Sequence, residues 1–193
     1  MKEIKRLSEL DEKQVNQSIN VFVEGFHNVF ASISKDKEIL HKLFKSSFDY
    51  EMTYAYLQDG EAVGILSLAD YKARPLKLNK EIFMEIMSGF IGNLVYSQIC
   101  KALEKPHAIN SQEIFIDYIA TSPMCRSKGI GTQLIEFVRD TLGYKHIALE
   151  VFSKNQRAKE LYERLGFKVT NVKRDLMTIF QGFGKRIFMR FDS

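Results

Sequence analysis

The stretch Ile116–Thr132 restricts what this chain can be more than any other part of it. Ile116-Asp117-Tyr118-Ile119-Ala120-Thr121 is rich in β-branched and aromatic residues and halts at Ser122-Pro123. Arg126, Lys128, Gly129 and Gly131 follow, and Gln133-Leu134-Ile135-Glu136-Phe137-Val138 then takes up helical spacing. The order is strand, basic glycine loop, helix start. Such a loop holds an anion, because glycines let the backbone approach closely and turn several N–H groups into one concavity, and the helix N-terminus adds the positive end of its dipole. Two nucleotide motifs fail here. A P-loop needs G-x-x-x-x-G-K-[ST], whereas Ser127-Lys128-Gly129 runs in the reverse order, and Leu134 stands where a dinucleotide fingerprint needs its third glycine.

The rest of the chain supplies the elements around that loop. Residues 1–7 read as a first strand, and Asp11 with Gln14 three positions on reads as a helix N-cap. Val15, Ile19, Phe22, Val23, Phe26 and Phe30 recur at helical intervals, and a second helix over Asp36–Ser47 repeats the pattern with Ile39, Leu40, Leu43 and Phe44. The period then falls to two. Residues 52–57 and 62–69 form a β-hairpin around Asp59-Gly60, the pair that a type I′ turn demands. From Ile82 to Leu103 the apolar spacing is helical again, with Gly89 and Gly92 predicting two helices and a bend. Residues 72–112 are a candidate substrate lid, the alternatives being a helix pair that covers the sheet or makes a homodimer contact. After the loop, a helix stops at Gly143, residues 145–152 form a strand, and a helix beginning near Asn155 stops at Gly166. Two closing strands, 167–175 and 185–191, are joined by a connection containing Gly182 and Gly184. Strand–helix–strand order implies a parallel or mixed sheet within one domain spanning 1–193.

Two segments together resemble the GNAT superfamily of acyl-CoA-dependent N-acetyltransferases. Arg126-Ser127-Lys128-Gly129-Ile130-Gly131 matches that family's [RQ]-x-x-G-x-[GA] loop, and Asn155–Phe167 matches its N-x-x-A-x-x-L-Y-x-x-x-G-F segment. The resemblance covers residues 113–175, with the hairpin and the two preceding helices similar in order and length to the family's first half. It implies an α+β fold, with a central mixed, mostly antiparallel twisted sheet of six to seven strands flanked by helices. A helical insertion then lies between the third and fourth strands.

The same resemblance implies the site. The pyrophosphate of acetyl-CoA would lie against Arg126, Ser127, Lys128, Gly129, Ile130, Gly131 and Thr132, and the pantetheine arm beside Ile119, Ala120 and Thr121. Asn155, Ala158 and Tyr162 would face the arm from the far side of a gap between two splayed strands. Tyr162 is the candidate general acid, since a phenol with an ordinary pKa of about 10 can serve a thiolate whose conjugate acid resembles Cys, about 8.5. Spacing alone favours Tyr162 as a core residue on the Ala158–Leu161–Leu165 face, and the motif match reverses that preference. For the base, Asp117 stands nine residues before Arg126, where some members carry an ionisable group, while the position eleven before it holds Phe115. Asp117 is the candidate, with Glu113, Tyr118 and Glu150 beside it, acting directly or through water, and a structural or surface role for Asp117 stands open alongside catalysis.

Composition narrows the partners. Cys100 and Cys125 are isolated, which predicts neither disulfide nor zinc, and the four histidines have no metal spacing. A net charge of +4 suits an acidic ligand, but basic residues alternate with acids and no nucleic acid partner is expected. No apolar h-region follows the N-terminus, and no stretch reads as a membrane span, so a cytoplasmic protein is expected. The function expected is acetyl transfer from acetyl-CoA to a primary amine. A protein that binds acyl-CoA without turning it over is the alternative from a different class.

Overall fold

The computed structural model describes residues 1–193. Seven strands form one sheet: β1 (Lys2–Arg6), β2 (Thr53–Gln58), β3 (Glu61–Ala69), β4 (Glu113–Thr121), β5 (His146–Phe152), β6 (Lys168–Lys173) and β7 (Arg186–Asp192). Their spatial order is β1-β2-β3-β4-β5-β7-β6, and only β4 and β5 run parallel. The mixed, mostly antiparallel sheet expected from the sequence is thus present. Asp59 and Gly60 turn the β2–β3 hairpin with φ of 53° and 82°, both in the left-handed region a type I′ turn requires.

Helices cover both faces. On one side lie α1 (Glu12–Phe30), α2 (Lys37–Lys45) and α3 (Lys80–Ile86), with Phe22, Leu43, Phe44 and Phe83 fully buried among Ala55 and Ile65 of the sheet. Asp11 caps α1, accepting from the Gln14 N–H at 2.8 Å, and Asp36 caps α2. On the other side α5 (Ile130–Glu136) and α6 (Gln156–Arg164) pack Ile130, Leu134 and Tyr162 onto Leu66, Ile116, Leu149 and Val151. Helical turns continue α5 over Phe137–Thr141 with wider bonding, Leu142 N–H reaching Phe137 O at 3.0 Å.

The insertion breaks where its glycines predicted, α3 ending before Met87 and α4 running from Gly89 to Leu103. α3 belongs to the core, whereas α4 leaves Phe90, Ile91 and Leu94 exposed. One element was absent from the sequence reading. The 174–185 connection contains a short helix α7 (Leu176–Phe180), started by Asp175, whose carboxylate accepts from Met177 N–H at 2.9 Å.

Two features of β4 create the site. Leu68 pairs with Ile116 and Ser67 with Tyr118, which leaves Asp117 as the extra residue of a β-bulge. On the other edge, β4 and β5 pair only from Glu113–His146 to Ile116–Leu149. Beyond that point β5 stays with β7 and β4 stays with β3, so the two central strands part. Asp117 and Glu150 are the first unpaired residues on the two sides of that fork.

Candidate active site

The loop after β4 is built for an anion. Pro123–Cys125 makes one tight turn, Ser127 and Gly129 take φ of 65° and 79°, and α5 begins at Ile130 without a side-chain cap. Consequently the N–H groups of Ser127, Lys128, Gly129, Ile130, Gly131 and Thr132 donate to no acceptor within the chain. Unpaired donors at a helix N-terminus suit a phosphate, and a charge there gains about 0.3–1 kcal/mol from the dipole, up to about 2 if partly buried.

These donors open onto a cavity of about 640 Å³ that reaches Ile119–Thr121, the part of β4 beyond its pairing with β5. Of the cofactor-binding residues expected from the sequence, Ile119, Ala120, Thr121, Arg126, Ser127, Gly129, Ile130, Gly131, Thr132, Asn155, Ala158 and Tyr162 all line it. Lys128 does not. Asn155 has a further structural task, capping α6 by accepting from Ala158 N–H at 3.3 Å.

Sequence reasoning missed several lining residues. Arg157 lines the cavity and donates to Ser127 Oγ at 2.9 Å, tying α6 to the loop, and Arg164 adds another cation. Gly25 reaches the cavity from α1, on the opposite face of the sheet from α6. Gln133 accepts from the Tyr56 hydroxyl at 2.8 Å while its amide donates to Gly129 O at 3.4 Å, which anchors the loop to β2. No motif marked these positions, because their contacts are long-range in sequence.

Both readings of Tyr162 hold at once. Only 6% of the residue is exposed, and it packs in the core, tilted against Phe167. Yet it lines the cavity, and burial, not a hydrogen-bond partner, is what acts on its hydroxyl. Burial pushes the phenol up to about 12, so it stays protonated at neutral pH.

Asp117 is placed differently from the open carboxylate that a free base requires. It does not line the cavity, and its side chain is 3% exposed. Arg74 grips both oxygens, Nε–Oδ2 at 2.7 Å and Nη2–Oδ1 at 2.6 Å, and His107 Nε2 lies 3.0 Å from Oδ1. A carboxylate so engaged is a poor proton acceptor, because protonation would break a buried bidentate pair. Glu150 is likewise held by Arg186 through two 2.6 Å bonds. Glu113 pairs with Arg190, and Tyr118 is buried among Phe22, Phe26 and Phe48. The Tyr118 hydroxyl has no partner, and burial raises its pKa.

A sequence model described as the acetyltransferase (GNAT) family matches residues 21–167, about three quarters of the chain. The chain belongs to that family. The shared region runs from the second half of α1 through the hairpin, the insertion, the anion loop and α6 as far as Phe167. Solved structures agree in fold. An N-acetyltransferase from Staphylococcus aureus Mu50 superposes with a TM-score of 0.62 at 15% identity, covering 97% of this chain and 99% of that one. A GNAT family acetyltransferase from Elizabethkingia anophelis, solved with acetyl-CoA bound, superposes at 0.55 with 12% identity, covering 100% and 97%. In sequence, the chain is 30% identical over 61 residues to a 5-NmdU N-acetyltransferase from Pseudomonas phage PaMx11. That match spans 32% of this chain and 44% of the relative. No helix of this GNAT protein is long and apolar enough to cross a membrane.

Proposed function

We propose that this GNAT protein transfers an acetyl group from acetyl-CoA to a primary amine by direct attack within a ternary complex. One observation carries the reading: the run of unpaired N–H groups from Ser127 to Thr132 opens onto a cavity that is also lined by Ile119–Thr121, where β4 has left β5. The donor set fits a pyrophosphate, Arg126, Arg157 and Arg164 supply cations along the wall, and the unpaired edge of Ile119–Thr121 suits an extended amide-bearing arm. Acetyl-CoA bound to the Elizabethkingia relative supports the choice of cosubstrate.

In this scheme the backbone near Ile119 stabilises the oxyanion as the amine nitrogen attacks the thioester carbonyl carbon. The C–S bond breaks with its electron pair on sulfur, and the Tyr162 hydroxyl donates to that sulfur. Asp117, sealed in its ion pair, serves as a positioning group. Residues 72–112 form the roof of the acceptor side, with Arg74 tying the insertion to β4 through Asp117 and to α4 through Ala102 O at 2.6 Å. A cytoplasmic setting belongs to the same proposal and accords with two free cysteines.

The test is turnover of acetyl-CoA against a broad amine panel, including 5-aminomethyl pyrimidine nucleosides suggested by the phage relative's name, with free thiol as the readout. Thiol release that depends on amine supports the reading. Tight acetyl-CoA binding without turnover of any amine would favour the idle binding protein instead.

A further inference from the structure

The apex of the fork carries a group that the scheme above leaves unused. His107 lies in the segment between α4 and β4, its ring stacked on Phe115 with centroids 3.7 Å apart and 18% of its side chain exposed. Nε2 sits 3.0 Å from Asp117 Oδ1, and Nδ1 has no partner in the chain. Asp117 is the bulge residue at the fork, two residues before Ile119, which lines the cavity. At about 3.3 Å per residue, the Asp117–His107 pair stands roughly 7 Å along the strand from the cavity wall.

The neighbours determine which ring nitrogen carries the proton. Arg74 holds both Asp117 oxygens in a buried bidentate pair, so the carboxylate is ionised and can only accept. His107 must therefore donate from Nε2, and in the neutral ring the lone pair falls on Nδ1. The other charged groups at the apex are spoken for. Glu150 is paired with Arg186, Glu113 with Arg190, and Arg186 also reaches Asp175 at 3.7 Å. Glu150 also acts electrostatically on Arg74 and Tyr118 from across the fork. Among these groups, His107 alone combines a free basic atom with a fixed orientation.

We propose that His107 Nδ1 is the base that deprotonates the acceptor ammonium, with Asp117 and Arg74 as positioning residues that fix its tautomer. The inference rests on the amine-acetylation reading above. The acceptor R–NH3⁺ gives one proton to Nδ1, and its freed lone pair forms the N–C bond to the acetyl carbon. As the C–S bond breaks, sulfur takes the Tyr162 hydroxyl proton, and the phenol is restored by the second proton lost from nitrogen. Imidazolium then releases the first proton to solvent, for a net yield of amide, thiol and one H⁺.

The experiment pairs kinetics with a direct view of the ring. His107→Gln keeps an N–H donor for Asp117 but cannot take up a proton. It should lower kcat/KM for the amine by about 10²–10⁴-fold. The acid-side inflection of the wild-type rate profile should also disappear. Acetyl-CoA affinity should stay within about twofold of wild type, since His107 is outside the cavity lining. Asp117→Asn should shift that inflection without abolishing it. In ¹⁵N NMR of the full chain with acetyl-CoA, neutral His107 should carry its proton on Nε2. A proton on Nδ1, or a His107→Gln profile that keeps the wild-type inflection, overturns the proposal. If wild type turns over no amine, the activity reading fails and the base with it, whereas amine turnover that His107→Gln leaves intact overturns the base alone.

Discussion

Replacing Tyr162 by Phe isolates one oxygen whose surroundings are known. Burial alone acts on the hydroxyl, and it pushes the pKa up to about 12 from 10. That difference, about two units, favours the neutral phenol by about 3 kcal/mol. Full proton transfer to a thiolate of ordinary pKa, about 8.5, would run uphill by about 5 kcal/mol. The same apolar wall, however, also penalises a bare thiolate, so the main contribution is a hydrogen bond that strengthens as sulfur gains charge. Losing such a donor should lower kcat by about 10²–10³-fold. Acetyl-CoA affinity should hold within a few-fold, because the loop contacts are untouched. Folding should be nearly unchanged, because the ring packed against Phe167 is retained. The decisive assay compares acetyl thioesters whose thiols differ in acidity, since a more acidic leaving thiol needs less help. The Phe variant's deficit should shrink with those donors. A deficit that is absent, or constant across leaving groups, refutes the role given to Tyr162. The raised pKa also has a sign for stability. The folded state holds its phenolic proton more tightly, so the contribution is fully present below pH about 10 and lost as pH rises through about 12.

Other perturbations test the frame around the site. Arg157→Ala removes a cavity cation and the Ser127 bond, and should weaken acetyl-CoA binding by about tenfold in titration calorimetry, with a shallower salt dependence. Asn155→Ala should cost about 1 kcal/mol through loss of the α6 cap, seen as a melting shift of about 2–4 °C. Arg74→Met leaves the Asp117 carboxylate buried without its partner and should destabilise by about 3–5 kcal/mol in denaturant titration, with Asp117→Asn restoring part of the loss. Phe22→Ala opens a hole where Phe26, Phe30, Phe44, Phe48 and Tyr118 meet within 5.7 Å, and should cost about 3–5 kcal/mol.

Local chemistry explains which elements were legible in advance. Asp11 with Gln14, Asp36, and Asp59-Gly60 each act within four residues, so a helix cap or a turn can be read directly from neighbours in sequence. α7 escaped for the opposite reason, since five residues give too little periodicity to distinguish a helix from a loop. The anion loop was readable because its function resides in backbone N–H groups, whose direction follows from glycine placement and the helix start. Arg157 and Gln133 act there through side chains that span 30 and 77 residues of sequence to Ser127 and Tyr56, a distance no local pattern encodes.

The same distinction separates the two halves of the reaction. What binds the cosubstrate is nearly contiguous in the chain, and every expected contact except Lys128 converges on one cavity. What activates the acceptor in the proposed scheme is assembled from Arg74 in the β3–α3 connection, His107 before β4 and Asp117 in the bulge. Asp117 looked like a base because a strand-end carboxylate, read alone, is free to accept a proton. Its partners come from 43 and 10 residues away, and they convert it from proton acceptor to anchor. The bulge sets Asp117 at the point where β4 leaves β5, with its carboxylate in the interior, where a bidentate cation offsets the cost of burying its charge. With Arg74 holding both Asp117 oxygens, the neighbouring imidazole is the group left with a free lone pair.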